Sequence, residues 1–283
     1  MNMMIGGGIF PEKKLILENI FSVTKPIIGM VHLKPLPGAP HYKGESIEEI
    51  IEFALEDVRR LEEGGVDGLQ IENAWDLPFP KPEDFSFETV ATMTAIGVEI
   101  AKVSNLPLGV NCLANAVIPA IAIAKACNAK WVRSNQWVNA YVANEGIVEG
   151  ASAKAMRYKA NLFGDDIKIM ADVHVKHGSH SIVADRSLAE QTRDNEFFDA
   201  DILIATGNRT GDETSLDELI GIKESASLPV IIGSGMTIEN AKKILSIADG
   251  AIVGSSLKEN GNWWERVNSD RVKRFMDQVI SLR

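Results

Sequence analysis

The sequence predicts a single (β/α)8 barrel, and three observations support this fold class. Short apolar segments alternate with amphipathic ones along the chain, which is typical of parallel strands joined by helices. There are eight such pairs, the number that closes a barrel. The last two apolar segments, Pro229–Gly235 and Gly250–Leu257, both run into turns of glycine and serine, as strands seven and eight of such barrels often do.

Strands are predicted, in chain order, at Pro26–Leu33, Gly68–Asn73, Pro107–Leu113, Trp131–Gln136, Ile167–Val175, Asp201–Gly207, Pro229–Gly235 and Gly250–Leu257. Helices are predicted after them at Ser46–Glu63, Ser86–Val103, Ala116–Cys127, Ala151–Phe163, Ser187–Phe198, Leu216–Ala226, Ile238–Ser246 and Arg271–Leu282. No Pro-, Gly- or Ser-rich linker separates large blocks, so we expect one domain over residues 1–283. Within it, residues 1–25 form an arm or helix before the first strand, and residues 258–270 form a loop before the last helix.

The helix boundaries rest on capping signals. Ser46 and Glu49 have the spacing of a capping box, and Ser86 precedes Thr89 at the start of the next helix. The pair of glycines after Glu63 ends the first of these helices.

The composition excludes some classes of function and sets an expected compartment. A formal net charge of −10 at pH 7 argues against a nucleic-acid-binding surface, which needs a basic patch. Two cysteines, Cys112 and Cys127, are too few for a disulfide framework and favour free thiols in a reducing compartment. No apolar run reaches the roughly 18 residues that span a membrane, and the start lacks the basic region of a signal peptide. We therefore expect a cytoplasmic protein without membrane insertion.

Alternation along each strand separates residues that face the helices from those that face the barrel axis. In the fifth strand, Ile169, Ala171, Val173 and Val175 form the apolar set that is expected to face the helices. The alternate residues of this strand face the barrel axis. The same alternation in the other strands leads us to expect polar side chains inside the barrel at the C-terminal ends of the strands, namely His32, Glu72, Asn111, Arg133, Asn135, Asp172 and His174. Active sites of such barrels lie at that end, so we predict a ligand site there.

Four of these residues have side chains that suit catalysis. His32 and His174 are expected to transfer protons, because histidine titrates near neutral pH. Asp172 and Glu72 are expected to act as bases, to orient a histidine or to bind a metal.

Other residues at the same end are expected to bind substrate. Arg133 suits an anionic group, because its planar guanidinium can bind a carboxylate or phosphate through two hydrogen bonds. Asn111 and Asn135 are expected to position the substrate as hydrogen-bond donors. Thr206 and Gly207, at the end of the sixth strand, are expected to line the same opening.

The two Gly-Ser turns are predicted to bind phosphate. Glycine lets backbone N–H groups approach an anion closely, and the N-terminus of a following helix attracts negative charge. Two successive turns make this prediction stronger than one would. The expected residues are Gly233, Ser234, Gly235, Gly254, Ser255 and Ser256.

A divalent metal is the alternative use of the acidic residues, and no other cofactor is predicted. Asp172, Glu72 and His174 are of ligand types that suit such an ion. The three histidines between residues 174 and 180 do not favour a zinc site, because they lead into a loop and no His-Glu-x-x-His or Cys-x-x-Cys pattern is present. Lys176 is not favoured as a Schiff-base lysine, because it too leads into a loop.

Four segments resemble the BtpA/SgcQ family, and together they cover nearly the whole chain. They are residues 28–40 (IGMVHLKPLPGAP), 65–73 (GVDGLQIEN), 171–177 (ADVHVKH) and 253–258 (VGSSLK). The resemblance implies a (β/α)8 barrel of the ribulose-phosphate-binding type. One branch of that family is linked to photosystem I biogenesis and another is found beside sugar-transport genes, so the resemblance implies no single reaction.

Two hypotheses of function follow. The first is an enzyme for a small phosphorylated metabolite, such as a sugar phosphate or nucleotide-like compound, that uses proton transfer as in isomerisation or lyase cleavage. The second is a non-catalytic assembly or stabilisation factor, as the photosystem branch implies. We also expect a homo-oligomer, with Trp263, Trp264 and the N-terminal arm either at the subunit interface or capping the barrel.

Overall fold

The computed structural model describes residues 13, 15–207 and 216–283. Eight parallel strands in it close into a barrel, and we number them β1 to β8 in chain order. They are Ile27–His32, Gly68–Glu72, Leu108–Asn111, Trp131–Ser134, Lys168–Asp172, Ile202–Ala205, Val230–Ile232 and Ala251–Val253. Because β8 pairs with β1, the sheet has no open edge, and the predicted fold class is confirmed.

Helices connect successive strands and surround the barrel. The α-helices of the described residues, α1 to α9, are Ile16–Phe21, Ile47–Glu63, Phe87–Val103, Val117–Cys127, Ser152–Asn161, Leu188–Phe197, Leu216–Ser225, Ala241–Leu245 and Ser269–Ile280. The predicted capping box is present at α2, where the Ser46 hydroxyl accepts from the Glu49 N–H and the Glu49 carboxylate accepts from the Ser46 N–H. In the part of the chain that the structure describes, no helix combines the length and apolarity needed to cross a bilayer.

The inside of the barrel holds an apolar core below the C-terminal strand ends. Ile28, Met30, Trp131 and Met170 pack there with isoleucines of β6 to β8. This confirms the predicted alternation within the strands, since the opposite-parity residues of the same strands join the larger core between sheet and helices. The expectation for Val175 is wrong, because the strand ends at Asp172 and Val175 packs with Tyr141 and Val148.

Helix α1 fills the N-terminal end of the barrel. Its Phe21 ring lies 5.3 Å from the Trp131 ring, centroid to centroid, in the interior core. A small ligand would therefore have to enter from the C-terminal end. The remainder of the predicted N-terminal arm, residues 1–12 and 14, lies outside the described residues.

All eight barrel strands are shorter than predicted, and the differences in the fifth and the eighth bear on the site. The fifth ends at Asp172 instead of Val175, and the eighth ends at Val253 and leads into a 3-10 helix at Ser255–Leu257. After Asp172 the backbone leaves the barrel, because Gly178–Ser179 pairs with Ala140–Ala143 in a second sheet.

That second sheet, which we call the cover sheet, is absent from the sequence prediction. It consists of Ala140–Ala143, Gly146–Glu149 and Gly178–Ser179, all antiparallel. Ala143 pairs with Gly146, so Asn144 and Glu145 form its two-residue turn. Its strands are too short for the alternation of side chains to identify them.

The loop predicted at residues 258–270 lies over the C-terminal end of the barrel, which is one of the two placements expected for it, and α9 begins at Ser269. The loop is closed on itself by a bridge between Lys258 and Val267. Between them, the Trp263 ring packs against Trp75, with 5.1 Å between centroids, and lies edge-on to His32.

Candidate functional site

Four polar side chains form a row across the C-terminal ends of β1 to β4. In the strand register, His32 lies beside Glu72, Glu72 beside Asn111, and Asn111 beside Arg133. Adjacent strands are about 4.8 Å apart, so these side chains are direct neighbours. All four line one cavity. The structure thus brings these four predicted residues together.

Within the row, Glu72 fixes the orientation of Asn111. The Asn111 Nδ2 atom donates to Glu72 Oε2 over 2.6 Å. A carboxylate only accepts hydrogen bonds, so the amide nitrogen must face it and the amide oxygen must face away. The Asn111 Oδ1 atom is buried and has no hydrogen-bond partner.

Asp172 has the corresponding effect on Arg133 and Asn135. Arg133 donates from Nε and Nη2 to the two Asp172 carboxylate oxygens, each over 3.0 Å, and Asn135 Nδ2 donates to Oδ2 over 3.2 Å. Asp172 is only 2% exposed and does not line the cavity, whereas Arg133 and Asn135 do. The Asn135 Oδ1 atom is also buried without a partner. Both asparagines, expected as donors to a substrate, therefore donate to carboxylates through Nδ2.

His32 is held as a neutral imidazole. Its Nδ1 atom lies 3.0 Å from the Trp263 carbonyl oxygen, which can only accept, so Nδ1 carries the proton and Nε2 the lone pair. Nε2 lies 3.9 Å from Glu72 Oε1. Burial, together with the positive charges of Lys258 and Lys176, lowers the pKa of His32 well below its ordinary value. At neutral pH, Nε2 of His32 is a proton acceptor.

The cavity has a volume of about 940 Å³ and is large enough for a small metabolite. Besides the polar row, its wall includes both Gly-Ser turns, Gly233–Gly235 and Gly254–Ser256. The cover sheet contributes Tyr141, and the loop after β8 contributes Trp263. The predicted phosphate-binding turns therefore share one cavity with five of the seven predicted polar residues, namely His32, Glu72, Asn111, Arg133 and Asn135.

The first glycine of each turn lets that turn approach the polar row. A Cβ atom on Gly233 would lie 2.5 Å from Ile204 Cγ2 and 3.1 Å from Arg133 Nη2, and one on Gly254 would lie 3.2 Å from His32 Cε1. The Gly233 N–H donates to the Ala205 carbonyl over 2.8 Å. The expectation that this N–H binds phosphate is therefore not supported, because the sheet already uses it.

The two turns are bonded to each other and to a cation. The Ser256 hydroxyl donates to the Met236 carbonyl over 2.5 Å, which joins the second turn to the residue after the first. Arg271 Nε donates to the Ser256 carbonyl over 3.0 Å, and both Arg271 and Arg274 line the cavity. Positive charge therefore lies beside the second turn.

Four predicted site residues do not line this cavity: Asp172, described above, and His174, Thr206 and Gly207. The expectation that His174 faces the barrel axis is wrong, because β5 ends two residues earlier and the His174 ring packs on His180, with 3.9 Å between centroids. Thr206 is buried, and its hydroxyl donates to the His174 carbonyl over 3.3 Å. Neither Thr206 nor Gly207 is among the described residues that line the cavity.

The predicted metal ligands are not assembled into one site. Asp172 is bonded to Arg133 and Asn135, and His174 packs on His180 away from the cavity that Glu72 lines. Over the described ranges, no three His, Cys, Asp or Glu side chains are grouped as a metal ion would require.

Sequence reasoning missed several cavity residues. Tyr141 arrives on the cover sheet, Lys176 on the segment that follows β5, and Arg271 at the start of α9. Alternation along the barrel strands cannot identify them, because none lies on a barrel strand. The Asn-Glu-Gly turn between two short apolar segments at residues 140–149 was the one available signal for the hairpin.

Comparison with known families decides the relationship of this chain. The model of the BtpA family matches residues 23–281. The chain belongs to the BtpA family.

Relatives in the BtpA family extend over almost the full length of the chain. A Synechocystis protein named photosystem I biogenesis protein BtpA is 34% identical over 264 residues, which cover 93% of this chain and 91% of that protein. An uncharacterized Archaeoglobus fulgidus protein is 42% identical over 90% of this chain and 98% of its own length. An uncharacterized mitochondrial protein of Caenorhabditis elegans is 31% identical over 96% of this chain and 99% of its own length.

Solved structures share the barrel fold at low sequence identity. A thiamine phosphate pyrophosphorylase from Pyrococcus furiosus superposes with a TM-score of 0.55 at 17% identity, covering 94% of this chain and 98% of that one. The N-(5'-phosphoribosyl)anthranilate isomerase of the same organism superposes with a TM-score of 0.54 at 13% identity. The match covers 91% of this chain and 99% of that one. These similarities establish that this BtpA-family chain is a (β/α)8 barrel.

Proposed function

We propose that this member of the BtpA family is an enzyme that acts on a small phosphorylated metabolite by proton transfer next to a carbonyl group. The observation that carries this proposal is one cavity lined by both the His32–Glu72 pair and the two Gly-Ser turns. Buried polar groups cost folding free energy unless they are bonded or serve a ligand. A protein that acts only as a scaffold does not need such a row.

In the proposed step, His32 removes a proton from the carbon next to the carbonyl. The proton goes to Nε2, and the C–H electron pair forms an enolate whose charge moves to the carbonyl oxygen. Glu72, 3.9 Å away, stabilises the imidazolium that forms, and the Trp263 carbonyl keeps the Nδ1 proton in place. Lys176, on the cavity wall, supplies positive charge for the enolate oxygen. If that carbon carries a hydroxyl group, the hydroxyl proton passes to the enolate oxygen and Nε2 returns its proton to the former carbonyl carbon, which gives isomerisation. If the next carbon carries a leaving group, the bond to that group breaks and the group takes the proton from Nε2, which gives cleavage.

Asp172 has a positioning role in this proposal instead of the role of a base. It is buried and holds the guanidinium of Arg133 in a fixed plane. We assign no direct role to His174, Thr206 or Gly207.

The phosphate is proposed to lie on the Gly-Ser turns. Arg271 supports this placement, because its guanidinium is bonded to Ser256 and lines the cavity. The solved neighbours named for thiamine phosphate and phosphoribosylanthranilate are consistent with a phosphorylated ligand.

Thermal unfolding with a panel of sugar phosphates, nucleotides and inorganic phosphate tests the binding part. A ligand at 100 times its Kd adds about 2.7 kcal/mol to the free energy of unfolding, which raises Tm by on the order of 5 °C. We expect Arg271→Gln to reduce the shift. The control is Arg59→Gln, which changes an exposed arginine of α2 and should leave the shift unchanged. If no phosphorylated compound raises Tm, the proposal fails.

The chemical part is tested with a compound that binds, incubated with the protein in D2O. We expect deuterium to enter the compound at the carbon next to its carbonyl, as NMR would detect. His32→Gln should abolish this exchange while the Tm shift persists. A tightly bound carbonyl compound that gains no deuterium and is not converted would contradict the proposed step.

A second candidate function is an assembly or stabilisation factor, and the observation that favours it is the Synechocystis relative. Under this alternative, His32→Gln and Glu72→Gln should leave binding of the partner protein unchanged. The relative in an animal argues for a role that does not depend on a photosystem.

We also propose that the protein is a cytoplasmic homo-oligomer. Both cysteines are buried free thiols, as a reducing compartment would favour. Trp264 is 49% exposed and is a natural contact residue, whereas Trp263 is used within the barrel opening. Light scattering after size exclusion should give a multiple of the chain mass, and Trp264→Ser should lower it.

A further inference from the structure

The two buried amide oxygens of the cavity carry an inference about the substrate. Asn111 Oδ1 and Asn135 Oδ1 have no hydrogen-bond partner, although both side chains are buried and line the cavity. Leaving a buried acceptor unsatisfied costs stability, so native structures contain few of them. Two in one cavity indicate that donors come from a ligand.

The orientation of these amides is fixed by chemistry. Each Nδ2 atom donates to a carboxylate oxygen, of Glu72 for Asn111 and of Asp172 for Asn135. Rotating either amide by 180° would place its oxygen against a carboxylate oxygen, which is repulsive. Both amide oxygens are therefore left as acceptors without a partner, on residues that line the cavity.

The charge next to them selects among donor groups. Arg133 lies on β4 between the two asparagines, beside Asn111 in the register and two residues before Asn135. An ammonium group only donates hydrogen bonds, so it could not also accept from the Arg133 guanidinium, and a carboxylate has no proton to donate to the amides. A hydroxyl group donates to an amide oxygen and can also accept from a neighbouring cation.

We propose that the substrate is a phosphorylated polyol, with two hydroxyl groups that donate to Asn111 Oδ1 and Asn135 Oδ1. This deepens the proposed function and rests on it, because it assumes that the phosphate occupies the Gly-Ser turns. Sugar phosphates should therefore bind more tightly than phosphorylated carboxylic acids and simple alkyl phosphates.

Calorimetric titration of the full chain with four probes tests the proposal. The probes are ribose 5-phosphate, 2-deoxyribose 5-phosphate, propyl phosphate and 3-phosphoglycerate. We expect ribose 5-phosphate to bind at least about tenfold more tightly than propyl phosphate or 3-phosphoglycerate, because each satisfied buried acceptor contributes at this level. The deoxy sugar should bind with equal or intermediate affinity.

Variants connect this preference to the asparagines. Asn111→Leu and Asn135→Leu keep the approximate size of the side chain but remove the acceptor, and each should reduce the ratio of the ribose 5-phosphate and propyl phosphate affinities several-fold. Asn105→Leu, at an exposed position, is the control and should keep the ratio. Circular dichroism identifies a variant that fails to fold. In that case the variant at the other asparagine and the four titrations of the wild-type chain still test the proposal.

The outcomes separate this inference from the proposed function. Equal binding of ribose 5-phosphate and propyl phosphate, or tighter binding of 3-phosphoglycerate, would overturn the polyol while leaving a phosphate site in place. Absence of binding by all four probes and by inorganic phosphate would overturn both.

Discussion

At the scale of single residues, two carboxylates, of the buried Asp172 and the partly buried Glu72, organise the polar side chains of the cavity. Glu72 orients Asn111, and Asp172 orients Arg133 and Asn135, with every contact between 2.6 and 3.2 Å. Such bonds in a low-dielectric interior are stronger than they would be in water. The cavity is therefore preorganised before any ligand arrives.

His174 makes the stability of the protein sensitive to acid. Burial and the nearby His180 lower the pKa of His174 to about 4, from an ordinary value near 6.5. Between these pH values the unfolded chain binds more protons than the folded one, so the free energy of unfolding falls as pH falls. We expect His174→Gln to lose less stability than wild type between pH 7.5 and 4.5, as measured by urea denaturation.

The control for this prediction is His41→Gln, which changes an exposed histidine and should follow the wild-type pH dependence. Equal losses in wild type and His174→Gln would show that His174 does not contribute to the acid sensitivity.

The barrel interior leaves no room for a side chain at Gly109. A Cβ atom there would lie 2.0 Å from the indole of Trp131, which is fully buried and donates from Nε1 to Gln70 Oε1 over 2.9 Å. We expect Gly109→Ala to lower the free energy of unfolding by about 3 kcal/mol or more, because Trp131 cannot move without disturbing the core. Chemical denaturation measures this loss.

A matched substitution separates the steric effect from a general effect of alanine. Gly221 lies in helix α7, where an added Cβ would approach only the flexible end of Leu188. Gly221→Ala should change stability by less than about 1 kcal/mol, with helix propensity favouring alanine. A similar loss in both variants would contradict the packing argument.

At the scale of elements, a helix outside the barrel fixes a loop that covers its opening. Asp57, fully buried on α2, lies 2.9 Å from Arg266 Nε and 3.5 Å from Lys258 Nζ, and accepts from the Val267 N–H over 3.2 Å. The loop held in this way carries Trp263, whose carbonyl binds Nδ1 of His32. The position of His32 therefore depends on charges outside the barrel.

Removing Asp57 tests this connection. Asp57→Asn leaves two cations near a neutral side chain, and we expect the free energy of unfolding to fall by about 3 kcal/mol or more. Glu52→Gln on the same helix breaks only the exposed contact with Arg59 and should cost less than about 1 kcal/mol. Urea denaturation measures the free energy of unfolding of both variants. An equally small decrease in the two variants would argue against an anchoring role for Asp57.

At the scale of the whole molecule, closure of the barrel joins the two ends of the chain. Residues 27–29 of β1 pair with residues 251–253 of β8, and α9 packs against α2. The first and last parts of the chain therefore contribute to one cooperative structure.

Truncation tests this cooperativity. A chain that ends at residue 249 lacks β8, the Trp263 loop and α9, and it leaves edges of β1 and β7 unpaired. We expect it to lose the sharp thermal transition and to bind a hydrophobic dye, as a partly folded chain does. A sharp transition retained in the truncated chain would show that closure is not required for cooperative folding.

The fold and part of the site could be predicted because they depend on local patterns. Strand–helix alternation gave the barrel, and period-two alternation placed His32, Glu72, Asn111 and Arg133 inside it. Period-two alternation identifies inward side chains only as far as the strand extends. It failed for His174, because the pairing of Gly178–Ser179 with the cover sheet turns the chain away two residues after Asp172.

The sequence by itself determined the barrel, its closing strands and the glycines that let the two turns approach the polar row. Only the tertiary structure decided that Asp172 orients its neighbours, that His32 is a neutral acceptor and that the amide oxygens of Asn111 and Asn135 are left without a partner. The physical reason is that hydrophobic periodicity is a property of neighbours along the chain. Hydrogen-bond direction and protonation are instead set by groups far apart in sequence, such as His32 and Trp263.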